Sequence, residues 1–164
     1  MTSSPLSRVG PMLTLVAVAV GLDQAIKWLV ETRLPFHEPV PVLPMFSLYR
    51  TWNEGIAFSF LRGVPDTALV LLTALVIVFV VYLWRNTPPS RMIAHLGYAL
   101  IIGGAVGNLI DRAVYGHVVD YIQFHTDAWS FAIFNLADSF ISIGAGLIVL
   151  DELISAIRAR KSRK

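Results

Sequence analysis

A few strongly polar residues are set in an otherwise apolar chain, and their types and spacing are those of a chemical site. They are Asp23 and Lys27, Asn53, Asn108 with Asp111 and Arg112, Asp120, and Asn135 with Asp138. On a helix, Asp23 and Lys27 share a face at a spacing of four, as do Asn108 and Arg112, and Asn135 and Asp138 share one at a spacing of three. Asp23 and Lys27 have two readings, an ion pair that fixes helix packing or groups that touch a substrate. Asn108, Asp111 and Arg112 are either part of a site or a helix end with an interfacial anchor. Asp120 and Asp138 differ from the rest, because neither has a local basic partner: no Lys or Arg lies between Arg112 and Arg158. Two unpaired carboxylates suggest a dyad sharing one proton, in which one takes a proton from water while the other polarises a carbonyl. Two separately solvated or capping aspartates remain the plainer alternative.

Rival constellations can be checked by inventory. His37, His95, His117 and His125 form no HExxH, so a zinc peptidase lacks its motif. A Ser/Lys dyad would need Lys27 with Ser47 or Ser59, and no SxxK or GxSxG accompanies them. The chain has no cysteine, hence no thiol nucleophile, thiolate metal site or disulfide, and no P-loop or dinucleotide fingerprint occurs.

The elements that must position these residues are membrane helices. Of 164 residues 55% are hydrophobic and only 15% charged, which excludes an ordinary water-soluble domain and a disordered chain. The net charge of +2 does not imply nucleic acid, since five of the thirteen Lys+Arg lie between Arg158 and Lys164. Residues 67–84 and 92–110 carry no charge, and residues 128–150 carry only Asp138. A fourth apolar run starts near Val9 and continues past Asp23 and Lys27. Each is long enough to span a bilayer. Ala17-Val18-Ala19 fits a small-x-small cleavage site, yet it lies inside the apolar run, so the first segment is expected to remain as a helix.

The expected fold is a mainly α membrane protein, one integral domain over 1–164. Its helices fall at about 9–30, 67–84, 92–110 and 134–154, with a small extracytoplasmic β-type subdomain between helices one and two. Basic residues in the 85–91 link and the C-terminal tail place those segments in the cytoplasm, with both termini, while 31–66 and 111–133, richer in acids than in Arg, lie outside. Residues 42–58 are rich in β-formers. Gly103 and Gly107 form a GxxxG, which favours close helix packing.

With that topology nearly every embedded polar residue reaches the outer membrane level. Intramembrane ionisable groups are costly and by default functional. A small transporter or proton-conducting subunit would also use such acids. Four helices without a repeat, and carboxylates near one surface, lack the midplane site that a transporter needs. A structural adaptor leaves the convergence unexplained.

Five segments in order resemble the bacterial lipoprotein signal peptidases, the type II signal peptidases. They are Asp23-Gln24-Ala25-Ile26-Lys27, Asn53-Glu54-Gly55-Ile56-Ala57-Phe58, the stretch from Gly103-Gly104 through Asn108-Leu109-Ile110-Asp111-Arg112, Val118-Val119-Asp120-Tyr121 and Phe134-Asn135-Leu136-Ala137-Asp138. Ile56 and Tyr121 depart from the usual pattern in ways that bear on pocket shape. The resemblance implies a membrane-embedded aspartic endopeptidase of the bacterial inner membrane, with its site toward the extracytoplasmic side. Such an enzyme removes signal peptides from diacylglyceryl-modified prolipoproteins just before the lipidated cysteine. It implies Asp120 and Asp138 as the catalytic pair, surrounded by Asp23, Lys27, Asn53, Gly55, Asn108, Arg112, Asn135 and Ala137, with no metal or organic cofactor. The external subdomain would be a cradle over the substrate. Prolipoproteins and membrane lipids are the expected partners, nucleic acid is not, and a single copy of the chain is the expected working unit.

Overall fold

The computed structural model describes residues 3–55, 66–126 and 128–161, with residue 66 described by its backbone alone. Ile56-Ala57-Phe58 of the second motif, Ser59, Pro65 and the basic residues Arg163 and Lys164 lie outside the described residues.

Four helices carry the chain: α1 (Val9–Arg33), α2 (Asp66–Asn86), α3 (Met92–Tyr115) and α4 (Leu136–Lys161). Among the described residues these are the four long and apolar enough to cross a membrane. The protein is a multi-pass membrane protein. Sequence chemistry explains their ends. α1 stops at Leu34, which is extended (ψ 140°) because it precedes Pro35, and α2 stops short of Pro88-Pro89. α3 does not stop at residue 110 but runs on through Asp111 and Arg112 until Gly116, left-handed at φ 75°, closes it by donating its N–H to Arg112 O at 3.1 Å. Asp111 and Arg112 are thus helical side chains. α4 starts at Leu136 because Asn135 caps it, and it continues to Lys161.

α3 is the central helix, buried over most of its length, with α1, α2 and α4 packed around it. Small residues allow the approach. An added Cβ at Gly97 would lie 2.6 Å from Gly144 O, one at Gly144 2.6 Å from Gly97 O, and one at Gly103 2.7 Å from Ala19 Cβ. The outer helices turn Leu13, Leu71, Leu75, Phe79, Val149 and Leu153 outward, a surface suited to lipid.

A three-stranded antiparallel sheet of order β1-β2-β3 sits at one end of this bundle. β1 (Pro39–Leu43) and β2 (Phe46–Asn53) come from between α1 and α2, whereas β3 (Val118–Phe124) comes from between α3 and α4. Arg50 on β2 fastens the sheet to the end of α1. It donates to the Glu31 carboxylate at 3.0 and 3.2 Å and to the carbonyls of Glu31 and Leu34, which satisfies acceptors that the helix end leaves open.

Candidate active site

Asp120 reaches the site from β3, and its strand sets its first partner. Asn53 pairs with Val118 across the sheet, so Asn53 and Asp120 are diagonal neighbours on one face. Asn53 Nδ2 donates to Asp120 Oδ2 at 2.9 Å, and the Asn53 amide cannot turn round, because its Oδ1 accepts the Gly55 N–H at 3.0 Å. Arg112 closes this corner by donating from Nη2 to Gly55 O at 2.8 Å.

Asp138 arrives on the first turn of α4 in a reciprocal cap. Asn135 Oδ1 accepts the Asp138 N–H at 3.0 Å, and Asp138 Oδ2 accepts the Asn135 N–H at 3.3 Å. The other exposed donors of that helix end are also taken: Leu136 N–H by Tyr121 Oη at 3.2 Å and Ala137 N–H by Asp23 Oδ1 at 3.0 Å. Asp23, on α1, therefore helps to cap α4.

Asn135 joins the two acids. Its Oδ1 being committed to a backbone N–H, its Nδ2 donates to Asp120 Oδ1 at 2.7 Å and to Asn108 Oδ1 at 3.3 Å. Asn108 Oδ1 also accepts from Lys27 Nζ at 2.9 Å, so Asn108 Nδ2 must face Asp138, to whose Oδ1 it donates at 2.8 Å. All four carboxylate oxygens of Asp120 and Asp138 accept from donors whose direction is fixed by a neighbour.

Asp120 is 2% exposed. Burial, and next the charge of Asp138, push its carboxyl up to about 7, against the lowering effect of the hydrogen bonds from Asn53 and Asn135 and of the Lys27 charge. A cavity of about 730 Å³ opens beside the pair. Asn53, Asn108, Arg112 and Asp138 form its polar end, and α2 and α4 supply apolar walls, including Leu72 and Ile141.

Every expected site residue falls in this one cluster. The Asp23 and Lys27 pair is present at 2.8 Å, but Lys27 is shared, since Asp111 Oδ2 also lies 2.8 Å from Nζ. Asp111, one of the polar candidates in the sequence though not among the residues that the resemblance implies, stands three residues from Asn108 on the same helix face and joins the cluster through Lys27. The Ser/Lys alternative has no geometry at Ser47: that hydroxyl is buried against His125 Nε2 at 2.8 Å, and the Lys27 ammonium is taken up by Asp23, Asp111 and Asn108. Ser59 is outside the described residues. His95 lies in the first turn of α3, away from the cluster, with Nε2 3.1 Å from Pro88 O.

Residues 15–154 match the family described as signal peptidase (SPase) II. The chain belongs to the signal peptidase II family. Two curated relatives bear the name lipoprotein signal peptidase. One, from Sinorhizobium fredii, is 56% identical over 94% of this chain and 93% of its own length; the other, from Mesorhizobium japonicum, is 58% identical over 94% and 92%. Two solved structures described as a bacterial membrane enzyme, obtained by the in meso method, share the fold. One has a TM-score of 0.83 at 27% identity, covering 100% of this chain and 96% of that one. The other has 0.78 at 28% identity, covering 92% and 96%. Membership of the signal peptidase II family makes the chain a peptidase, and all five sequence motifs fall within the matched span.

Proposed function

We propose that this peptidase is a membrane-embedded aspartic endopeptidase that cleaves diacylglyceryl-modified prolipoproteins just before the lipidated cysteine. It acts from the bacterial inner membrane as a single chain with its site toward the extracytoplasmic side and both termini in the cytoplasm. The observation that carries the reading is Asn135, which holds Asp120 through its side chain and Asp138 through its backbone beside a cavity that is polar at one end and apolar along its walls. A substrate that is half peptide and half lipid suits such a cavity, with the peptide at the polar end and acyl chains along α2 and α4.

In the proposed reaction a water between the carboxyls attacks the carbonyl that precedes the cysteine. Asp138 takes a proton from the water as the C–O bond forms, and Asp120, which keeps its proton up to about 7, gives it to the carbonyl oxygen. The tetrahedral intermediate collapses as Asp138 passes its proton to the departing amide nitrogen and Asp120 recovers its own. The C–N bond breaks, leaving a signal peptide with a free carboxyl and a lipoprotein with a free α-amino group on its cysteine. Asn53, Asn108 and Asn135 keep the carboxyls in place, and Arg112, anchored at Gly55, faces the cavity where the substrate backbone would lie.

The test is incubation of the purified protein, in detergent or lipid, with a diacylglyceryl-modified prolipoprotein and with its unmodified form, followed by mass analysis. The reading expects a product that begins at the modified cysteine and none from the unmodified form. Cleavage elsewhere, or equal cleavage of both forms, contradicts it.

A further inference from the structure

We propose that Asp111 is a positioning residue for both aspartates of the site, an inference that rests on the peptidase reading above. Its carboxylate, 1% exposed, lies between two routes. Along the first, Asp111 Oδ2 and Asp23 Oδ2 each hold Lys27 Nζ at 2.8 Å. An ammonium has three N–H donors and no acceptor, so with two committed to carboxylates the third is aimed at Asn108 Oδ1, 2.9 Å away. That contact makes Asn108 present its amide N–H to Asp138 Oδ1 rather than its oxygen. Along the second, Asp111 Oδ2 accepts the N–H of Val119 at 3.3 Å, the residue before Asp120, and so pins the strand that carries the other carboxyl. Gln24 Nε2 donates to Asp111 Oδ1 at 2.8 Å and to Gly107 O at 3.2 Å, and thereby keeps the Asp111 carboxylate turned this way.

Asp111 does not line the large cavity beside the pair, where the reacting atoms would lie, but a smaller one of about 320 Å³ with Gln24 and Lys27. Its effect is therefore on the rate of the chemical step rather than on substrate uptake. If Lys27 lost its second carboxylate, Asn108 could rotate and present an oxygen to Asp138, and β3 would lose its tie beside Asp120.

The experiment measures kcat and KM for cleavage of a diacylglyceryl-modified prolipoprotein by the wild type, Asp111→Asn, Asn108→Ala and the double variant. Asp111→Asn is expected to lower kcat by about 10²-fold, the scale of an ångström-level misplacement, with KM unchanged. In the double variant the combined loss should be smaller than the product of the two single losses, because Asp111 acts partly through Asn108. A folded Asp111→Asn enzyme with wild-type kcat, a change confined to KM, or losses that multiply would each overturn the proposal. If Asp111→Asn does not accumulate as folded protein, Gln24→Met is used, since Gln24 is only half-buried. It should show the same fall in kcat at smaller amplitude, and wild-type kcat there would overturn the proposal. A wild-type protein that fails to cleave the modified substrate contradicts the peptidase reading itself, which separates that failure from this one.

Discussion

At the scale of single residues, the site is an arrangement of amides whose directions are set by groups that can only donate. Against the lowering effect of those amides, burial and the neighbouring charge of Asp138 raise the Asp120 carboxyl. The proposed reaction uses a protonated Asp120, so kcat/KM should fall as pH rises through about 7. A pH-rate profile checks this, and a flat profile from pH 6 to about 8.5 would contradict it. The sign carries over to stability. A carboxyl whose folded pKa exceeds its usual 3.8 contributes stability that is full below that value and is lost as pH rises through about 7. The thermal midpoint of Asp120→Asn should accordingly vary less with pH over that window than that of the wild type. A second prediction concerns Lys27. Lys27→Met leaves Asp23 and Asp111 without their shared cation, and an uncompensated buried charge costs roughly 3–5 kcal/mol. Adding Asp23→Asn should restore only part of this, because the Asp111 carboxylate remains; full recovery in thermal melts would show that Asp111 is not held by Lys27. Asp120 and Asp138 were legible in the sequence because no basic residue accompanies them. The sharing of Lys27 was not, since Asp111 is remote in the chain and only helix packing brings it near. The Asp23 cap of Ala137, across 114 residues, was hidden for the same reason.

At the scale of elements, the apolar runs and the prolines sufficed to locate four helices, because a bilayer demands length and Pro ends a helix. The charge-free run marks the end of α3 at about residue 110, whereas the helix continues to Tyr115. Its polar side chains are nevertheless helical, since they point into a hydrogen-bonded interior where charge is compensated. The third strand was also hidden, because β3 follows α3 in sequence and joins the sheet only through its pairing with β2. Packing between α3 and α4 rests on the facing pair Gly97 and Gly144. Gly144→Ala would drive a methyl to 2.6 Å from Gly97 O and force the helices apart. Overpacking of this kind costs typically about 1–3 kcal/mol, which offsets or exceeds the helix propensity gained, about 1 kcal/mol. Gly146→Ala meets nothing within 4 Å and should stabilise instead. Thermal unfolding of the two variants in one detergent tests the contrast, and equal midpoints would contradict it.

At the scale of the whole molecule, a membrane peptidase carries exposed apolar helix faces and a polar cluster at the sheet end of its bundle, and the proposed function has it meet its substrate at the membrane surface. The chain has no cysteine, so any introduced thiol is unique. Ser90→Cys, in the α2–α3 link, should be shielded from a membrane-impermeant reagent added outside cells, and Thr126→Cys, beyond β3, should react. The opposite pattern would put the site on the cytoplasmic face. The central claim is that Asp120 and Asp138 together perform the hydrolysis, and it is tested most directly by turnover of a diacylglyceryl-modified prolipoprotein with Asp120→Asn and Asp138→Asn. Asn keeps the size of the side chain and cannot exchange the proton, and acid–base groups contribute about 10²–10⁴-fold each. Each variant should remain folded and inserted while kcat falls by at least about 10²-fold; a folded variant that cleaves before the modified cysteine at close to the wild-type rate would contradict the account.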